Sequence, residues 1–271
     1  MTVAGFTEDL AKTWRADGVV CLRGVFAPEW IELLRQGAEQ SVAAPGALAK
    51  DYARDGKGKF FTDHDMYLRN DPIRRFVFES PAGEIAARLM GARKVNLVDD
   101  HLLIKEPKTS NPTYWHQDQP YYQFAGEQFC SMWIPLDPVN EENGTMRFVR
   151  GSHRWGKQFH PVRIGLGELV EEAEDFDGPA PDIDASPGDY DTASWELSPG
   201  DCLAFHGKTL HGAYANTSAT ARRRALSVRF TGDDIRWHPR LYAPTDPNAP
   251  KLRAGDPIDG ERYPIVWAVS G

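Results

Sequence analysis

The residues most able to carry chemistry lie in the segment YWHQDQP, where one residue separates His116 from Asp118. In an extended segment, side chains at i and i+2 point to the same side, so these two could reach one point. Two ligands bind a metal weakly, and a third is needed. His211 follows the strand-like run DCLAFHG and could lie opposite them on an adjacent strand. We therefore predict a metal site formed by His116, Asp118 and His211.

This ligand set is compatible with more than one function. Two histidines and a carboxylate on one face leave three coordination positions open, as in non-haem Fe(II) oxygenases. Zinc is more often tetrahedral with one open position, so the same residues could serve a hydrolase or isomerase on a cupin-like barrel. A non-catalytic β-sandwich binding module is a further alternative. The cysteines, Cys21, Cys130 and Cys202, are too widely spaced for a CxxC metal site or a disulfide framework.

The elements that must position these residues are short strands that follow a helical start. Helices are predicted over Thr7 to Ala16 and Ala27 to Val42, and two more open at Asp71-Pro72 and Ser80-Pro81. The strand-like runs are VNLVDDHLLIK, QFCSMWIPLD, TMRFVRG, DCLAFHG and RALSVRF. Short strands with Pro, Gly and Asn turns predict a mainly β fold with flanking α-helices, in a double-sheet arrangement such as a jelly roll.

No clean linker divides the chain, so we expect a single domain over residues 1–271. We divide it into a mainly helical N-terminal part (1–93), a jelly-roll core (94–233) that contains an acidic loop (164–200), and a C-terminal extension (234–271). The boundaries follow the change in texture from helical patterns to strand-like runs.

The charge of the chain excludes several classes of partner. Its 271 residues carry 31 basic and 39 acidic side chains, which argues against nucleic acid or anionic membrane as a partner. No apolar run is long enough to span a membrane, and the first residues lack the order of a secretory signal, so we expect a cytoplasmic protein. Twelve acids and no Lys or Arg lie between Arg163 and Lys208. This stretch is either a solvated loop or a lid that favours a cationic or amine-bearing substrate.

The segments WHQD, MWIPLDPVNEENGTMRFVRGSH (132–153) and PGDCLAFHGKTLHGAYANTSATARRRALSVRF (199–230) together resemble the phytanoyl-CoA dioxygenase family of Fe(II)/2-oxoglutarate-dependent oxygenases. The resemblance implies a double-stranded β-helix, Fe(II) bound by His116, Asp118 and His211, and 2-oxoglutarate and O2 as cosubstrates. It implies a dioxygenase that hydroxylates an unactivated C–H bond, with release of succinate and CO2. The sequence shows no long basic groove for a CoA phosphate, which favours a small-molecule substrate, in specialised metabolism, over a phytanoyl-CoA-like acyl substrate. Halogenating relatives have a small residue where this chain has Asp118, so halogenation is disfavoured; desaturation, epoxidation and ring formation stay open.

The same resemblance implies an arginine that binds the far carboxylate of 2-oxoglutarate. Aligning Ala225-Leu-Ser227 with the family's Ala-hydrophobic-Ser selects Arg223. Arg222 is the alternative, because this chain carries one extra residue after Asn216. Trp133 and Lys105 match positions that line the 2-oxoglutarate pocket in relatives.

Three further residues are predicted to contact substrate. Tyr121 follows the HxD pair and could wall the pocket, His64 lies in a TDHD segment, and His153 belongs to a GSH element that recurs in the family. Their ordinary alternatives are a core aromatic, a polar turn and a structural histidine. His101 has no partner at metal-ligand spacing and is expected to be structural. The sequence does not indicate the oligomeric state.

Overall fold

Our computed structural model of the protein describes residues 3, 5–53, 58–163, 167–169, 176–240 and 251–269. Within these ranges there are four α-helices: Glu8–Asp17 (α1), Pro28–Ala43 (α2), Asp71–Glu79 (α3) and Ala82–Met90 (α4). The strands are Val19–Leu22 (β1), Lys50–Asp51 (β2), Phe60–His64 (β3), Lys94–Lys105 (β4), Thr113–His116 (β5), Phe124–Ala125 (β6), Phe129–Pro135 (β7), Met146–Val149 (β8), Thr192–Ser194 (β9), Cys202–His206 (β10), His211–Ala213 (β11), Arg223–Thr231 (β12), Arg236–Trp237 (β13) and Ile265–Ala268 (β14).

The helices begin and end where the local sequence provides caps. Thr7 precedes α1 and accepts a hydrogen bond from the backbone N–H of Leu10 at 3.4 Å. Gly18 ends the same helix with a φ of 77°, a conformation that favours glycine. Pro28 occupies the first turn of α2, where its missing N–H costs nothing. Each predicted helix is therefore present, to within one or two residues at its ends.

Two antiparallel sheets form the jelly roll that the sequence predicts. The larger runs β1-β10-β7-β12-β4-β3-β2, with β14 also paired to β4, and the smaller runs β5-β11-β8-β9. Strands β6 and β13 form a separate pair. The smaller sheet packs on the larger through apolar side chains such as Phe148 and Phe205, whose ring centres are 5.1 Å apart. The predicted mainly β class is confirmed.

Alternation along the central strands assigns the two faces of the larger sheet to different layers. Even-numbered side chains such as Leu102, Met132 and Leu226 join the core formed with the four helices. Odd-numbered side chains of β7, of β12 up to Arg229 and of β4 after residue 98 lie on the face toward the smaller sheet. A register irregularity reverses this parity earlier in β4, where Val95 and Leu97 join the helix-side core. The chemistry-bearing residues of these strands are on this second face, so the helices support the sheet from behind.

The larger sheet extends beyond the predicted core of 94–233. Strands β1 and β3 from the N-terminal part pair with β10 and β4, and β14 from the C-terminal extension pairs with β4. The acidic loop contains β9, which pairs with β8; its residues 164–166 and 170–175 lie outside the described residues. The single-domain organisation stays a prediction. Among the described helices, none combines the length and the apolar character needed to cross a bilayer.

Candidate active site

The three predicted metal ligands meet between the two sheets. His116 ends β5, His211 begins β11, and the two are direct register partners. One ligand atom from each of His116, Asp118 and His211 lies within 4.8 Å of the others, and all three residues are buried. The Nε2 atoms of His116 and His211 are 3.8 and 3.7 Å from Asp118 Oδ1.

Backbone carbonyls orient both imidazole rings. The Nδ1 atom of His116 is 2.7 Å from the carbonyl oxygen of Tyr114, and that of His211 is 2.9 Å from the carbonyl oxygen of Thr209. Since a carbonyl can only accept, Nδ1 carries the proton and Nε2 directs its lone pair at the centre. Burial lowers the pKa of His116, and burial together with His116 lowers the pKa of His211 to about 3. Both rings are therefore neutral, as metal ligation requires.

A turn, rather than an extended strand, presents Asp118. Strand β5 stops at His116, and the Asp118 backbone is helical, with φ −75° and ψ −42°. The short 3₁₀ turn Gln119–Tyr121 follows. Gln117 points elsewhere, and its amide donates to the carbonyls of Lys157 and Lys208. The two side chains converge as predicted, but the i, i+2 argument for an extended segment is wrong, because the strand ends between them.

Close approach of β11 to β5 brings the histidines together. A Cβ atom added at Gly212 would lie 2.8 Å from the carbonyl oxygen of Thr113, closer than side-chain carbons are found to backbone oxygens. A register irregularity separates His211 from Ala213 along this pair of strands. The glycine next to the third ligand thus sets the spacing between the two ligand-bearing strands.

A buried arginine that the sequence reasoning missed binds the Asp118 carboxylate. Arg229 Nε and Nη2 lie 2.9 and 3.2 Å from Asp118 Oδ2 and Oδ1, and Ser131 Oγ donates to Oδ2 at 2.5 Å. Burial alone would raise the pKa of Asp118, but the charge of Arg229 outweighs it and holds that pKa below its ordinary value. The alternation of β12 was the available signal, since residues 223, 225, 227 and 229 share one face.

Beside the ligands lies a small cavity between the sheets. The larger sheet contributes His101, Leu103, Trp133, Phe205, Arg223, Ser227 and Arg229, and the smaller sheet contributes Thr113, His116, Met146, His211 and Ala213. The lining combines an apolar majority with a few convergent polar groups, which is typical of small-molecule sites.

Arg223 is a buried cation in this cavity without an anionic partner among the described residues. It is 1% exposed, its Nη1 donates to the carbonyl of Leu103 at 3.2 Å, and its Nε has no hydrogen-bond partner. Burial lowers its pKa to about 10. Arg222, the alternative, instead forms ion pairs with Glu39 and Glu106 away from the cavity.

The other two predicted 2-oxoglutarate residues lie next to Arg223. Trp133 lines the cavity, with its ring centre 5.7 Å from the guanidinium carbon of Arg223. Lys105 is the register partner of Arg223 on β4, but its Nζ donates to the carbonyl of Tyr214 at 2.8 Å and does not line the cavity. Burial, reinforced by Arg223, lowers the pKa of Lys105 well below its ordinary value.

The predicted substrate residues have different surroundings. The Tyr121 ring meets the His116 ring edge-on at 5.8 Å, and its hydroxyl donates to the carbonyl of Val162. His64 lies behind the cavity, 3.3 Å from Asp99 and stacked on His101. His153 is not brought to the cavity: its Nε2 lies 3.2 Å from the carbonyl of Arg15, because the GSH turn packs against the end of α1.

His101, expected to be structural, lines the cavity. It is 2% exposed, and its Nε2 has no hydrogen-bond partner among the described residues. Burial, followed by the charges of His64 and Arg229, lowers its pKa well below the ordinary value. A buried ring nitrogen without a partner costs free energy unless a ligand supplies one. Metal-ligand spacing in the sequence does not indicate a role for His101, because His101 is not a metal ligand.

The residues present fit a metal and a dicarboxylate cosubstrate. The N, N, O donor set suits Fe(II), and its neutral imidazoles and single carboxylate leave positions open for other ligands. The buried guanidinium of Arg223, which forms no ion pair with a described residue, lines the same cavity as the two histidines. Planar guanidinium suits a carboxylate, to which it can donate two hydrogen bonds.

Comparison with known proteins gives one family and one fold. The phytanoyl-CoA dioxygenase (PhyH) family model matches residues 14–225. A probable phytanoyl-CoA dioxygenase of Caenorhabditis elegans is 25% identical over 226 residues, which cover 80% of this chain and 65% of that protein. The crystal structure of the carbocyclase SnoK from nogalamycin biosynthesis has a TM-score of 0.78 and 23% identity, covering 98% of this chain and 99% of that one. The epimerase SnoN of the same biosynthesis has a TM-score of 0.75 and 25% identity, covering 97% and 96%.

Proposed function

This chain belongs to the phytanoyl-CoA dioxygenase family of Fe(II)- and 2-oxoglutarate-dependent oxygenases, and we propose that it oxidises an unactivated C–H bond of a small molecule. One observation carries the proposal. The cavity lined by His116 and His211, whose Nε2 atoms converge with the Asp118 carboxylate, is also lined by Arg223, a buried cation without an anionic partner among the described residues. A zinc hydrolase would not require the buried guanidinium of Arg223.

In the proposed site, Nε2 of His116 and His211 and Oδ1 of Asp118 would hold Fe(II). Arg223 would bind the far carboxylate of 2-oxoglutarate, with Trp133 forming a wall beside it. When bound, the metal and this cosubstrate together supply the activation of O2, coupled to the conversion of 2-oxoglutarate to succinate and CO2. Lys105 is the register partner of Arg223 on the adjacent strand and donates to the Tyr214 carbonyl.

The protein's own contribution is to orient the metal ligands and the bound carboxylate and to exclude water from the site. The rings of Trp133, Phe205 and Phe148 pack around the ligands, and Phe205 and His211 have ring centres 4.5 Å apart. In such surroundings the charge of Arg223 interacts strongly with a bound carboxylate, because little water screens it. Tyr121 fixes the segment at Val162 beside the His116 ring, which shapes one side of the approach to the metal position.

Hydroxylation is the outcome we propose. The Asp118 carboxylate fills the position that a small residue occupies in halogenating relatives, and two donors hold it there, so the site is not built for halide. The structurally similar SnoK and SnoN are described as a carbocyclase and an epimerase. Ring formation and epimerisation therefore stay alternatives on this scaffold. Both neighbours are described as enzymes of nogalamycin biosynthesis, which agrees with a role in specialised metabolism.

The acidic loop supports a narrower hypothesis, that the substrate carries an amine. Several of its acids are already neutralised: Asp184 binds Arg147 through two hydrogen bonds, and Asp191 binds Arg150. Any attraction must come from the remaining acids. Glu171, Glu172 and Glu174 form a cluster in the sequence that lies outside the described residues. If this cluster attracts the substrate, replacing it with glutamines should raise KM for an amine-bearing substrate at low salt and leave KM for a neutral substrate unaffected. An unchanged KM for both would reject the hypothesis.

A cytoplasmic location also stays a prediction. It agrees with the three cysteines, all free in the structure. Cell fractionation with antibody detection tests it directly.

The central experiment uses anaerobically purified protein. Adding Fe(II) and 2-oxoglutarate should produce a visible metal-to-ligand absorption band, and the band should be lost in His116→Ala. Candidate small molecules are then screened for substrate-stimulated succinate release. A wild-type protein without the band, or a band that survives in His116→Ala, would reject the proposed function.

A further inference from the structure

We propose that Arg229 is a positioning residue for the metal centre, which holds the Asp118 carboxylate so that one selected oxygen faces the two histidines. The inference rests on the metal site of the proposed function but does not depend on the 2-oxoglutarate reaction. It concerns a side chain outside the predicted ligand and cosubstrate sets, on the strand that also carries Arg223.

The two oxygens of Asp118 have different surroundings. Oδ2 accepts hydrogen bonds from Ser131 Oγ at 2.5 Å and from Arg229 Nε at 2.9 Å. Oδ1 has one longer contact, 3.2 Å from Arg229 Nη2, and lies 3.7 to 3.8 Å from both imidazole Nε2 atoms. Because Oδ2 is occupied by two donors, Oδ1 is the oxygen with a lone pair left for a metal. The carboxylate would therefore bind through one oxygen.

Arg229 is itself fixed by a second carboxylate. Its Nη1 lies 3.3 Å from Asp99 Oδ2, and the two residues are register partners on β12 and β4. Asp99 also accepts from the Tyr122 hydroxyl at 2.9 Å and lies 3.3 Å from His64 Nδ1. The guanidinium is 6% exposed, so solvent does not compete for its donors. A rotation of the Asp118 carboxylate would break two charge-assisted hydrogen bonds at once.

Lysine cannot replace this arrangement, although it preserves the charge. The guanidinium uses three nitrogens in one plane to reach Asp118 twice and Asp99 once, and an ammonium group is a point charge without that geometry. Arg229→Lys therefore separates orientation of the carboxylate from neutralisation of its charge. Arg229→Gln removes the charge as well and leaves two buried carboxylates near one another.

The same strand offers a matched control. Arg224 makes a comparable bidentate ion pair with Asp137, at 3.0 and 2.6 Å, and a second ion pair with Glu39. It is on the opposite face of β12, away from the metal position. Arg224→Lys thus makes the same chemical change in the same strand without touching the ligands.

The test measures binding of Co(II) alone to the full chain, by equilibrium dialysis and by its visible absorption, without 2-oxoglutarate or O2. Loss of a partner that orients a metal ligand typically weakens metal binding ten- to a hundredfold. We expect Arg229→Lys to raise the Co(II) Kd by about that factor and to shift the absorption band. Arg224→Lys should leave both unchanged, and circular dichroism and melting curves check that each variant is folded.

If Arg229→Lys is folded and binds Co(II) with wild-type affinity and spectrum, the proposal is wrong. If the variant does not fold, Ser131→Ala replaces it, since removal of that hydroxyl leaves Asp118 Oδ2 with only one donor. A severalfold higher Kd for Co(II) in Ser131→Ala supports the proposal. An unchanged Kd overturns it. Failure of the oxygenase function is distinguishable. A wild type that binds Co(II) but not 2-oxoglutarate rejects that function, whereas the Arg229→Lys comparison still decides this inference.

Discussion

Replacing Arg223 with methionine should weaken 2-oxoglutarate binding and, at the same time, stabilise the ligand-free protein. Both effects come from one feature: a guanidinium that is 1% exposed and forms no ion pair with a described residue. In the ligand-free protein, burying this charge lowers the free energy of unfolding. In the complex it would bind the far carboxylate.

The expected gain in stability follows from the pKa of Arg223, which burial lowers from its ordinary value to about 10. That difference corresponds to about 3 kcal/mol of unfavourable free energy for holding the charge in place at neutral pH. Methionine loses the hydrogen bond to the Leu103 carbonyl, worth about 1 kcal/mol. The net gain is about 2 kcal/mol in the free energy of unfolding, or a rise of about 4 °C in Tm for a chain of this size.

The expected loss of affinity is larger. Removing one partner of a buried, hydrogen-bonded charge pair costs about 3 to 5 kcal/mol. Since about 1.4 kcal/mol corresponds to a tenfold change, the Kd for 2-oxoglutarate should rise by roughly two to three orders of magnitude.

Anaerobic titration with Fe(II) present measures the Kd, and calorimetric melting without cosubstrate measures Tm. The matched control is Arg222→Met. The Arg222 side chain is partly exposed and pairs with Glu39 and Glu106. This variant should raise neither the Kd for 2-oxoglutarate nor the Tm of the ligand-free protein. A second control uses 2-oxobutanoate, which lacks the far carboxylate. Arg223→Met should abolish the preference of the site for 2-oxoglutarate over 2-oxobutanoate, because the two changes remove the same interaction.

An Arg223→Met protein that is folded and binds 2-oxoglutarate as tightly as wild type would refute the reasoning. So would a variant in which the Kd rises but the ligand-free Tm falls by several degrees, because the side chain would then be a packing element rather than an uncompensated charge.

Three other predictions follow from named contacts. His101→Phe removes a buried nitrogen without a described partner, so the ligand-free Tm should stay unchanged or rise. If that nitrogen forms a hydrogen bond to a ligand, the variant should lower substrate-stimulated succinate release at least about tenfold. Normal release would show that His101 has a structural role alone. Gly212→Ala should push β11 from β5 and weaken Co(II) binding, measured by dialysis. Gly188→Ala, where nothing lies within 4 Å of the added Cβ, should not affect that binding. Burial, with the charge of Asp99, raises the pKa of Asp100 to about 7, so its ionised form is disfavoured in the folded state. Asp100→Asn should therefore gain stability relative to wild type as pH rises from about 4 to 7, by about 1 to 3 kcal/mol in denaturant titrations, and a pH-independent difference would contradict this pKa.

The fold was predictable from the sequence because its local signals agree with one another. Caps at Thr7 and Gly18 and alternation in β4, β7 and β12 define helices and strands without reference to distant residues. The convergence of the ligands was predictable for a weaker reason. Spacing suggested that His116 and Asp118 would meet, and they do, but through a turn that the motif alone does not reveal.

Contacts between residues distant in the chain were harder to predict. Arg229 and His101 were missed because neither belongs to a motif; their importance comes from the pairing of β12 with β4, which places both in the cavity. The GSH motif predicts that His153 contacts substrate. The position of His153 instead depends on its packing against α1, and nothing in the local sequence indicates that contact. Alternation from Arg223 along β12 would have identified Arg229, so strand parity is more informative here than motif spacing.

The buried charges around the cavity explain why the ligand of this site should be a dianion. Asp118 and Asp99 carry two negative charges, and Arg229, which binds both, supplies one positive charge. Arg223, which lines the cavity with Arg229, supplies a second. These four side chains therefore sum to zero, and a divalent metal would bring the total to two positive charges. Because net charge in a water-poor interior is costly, a cosubstrate with two carboxylates is the partner that restores neutrality. One carboxylate is expected near the metal, and Arg223 fixes the position of the other.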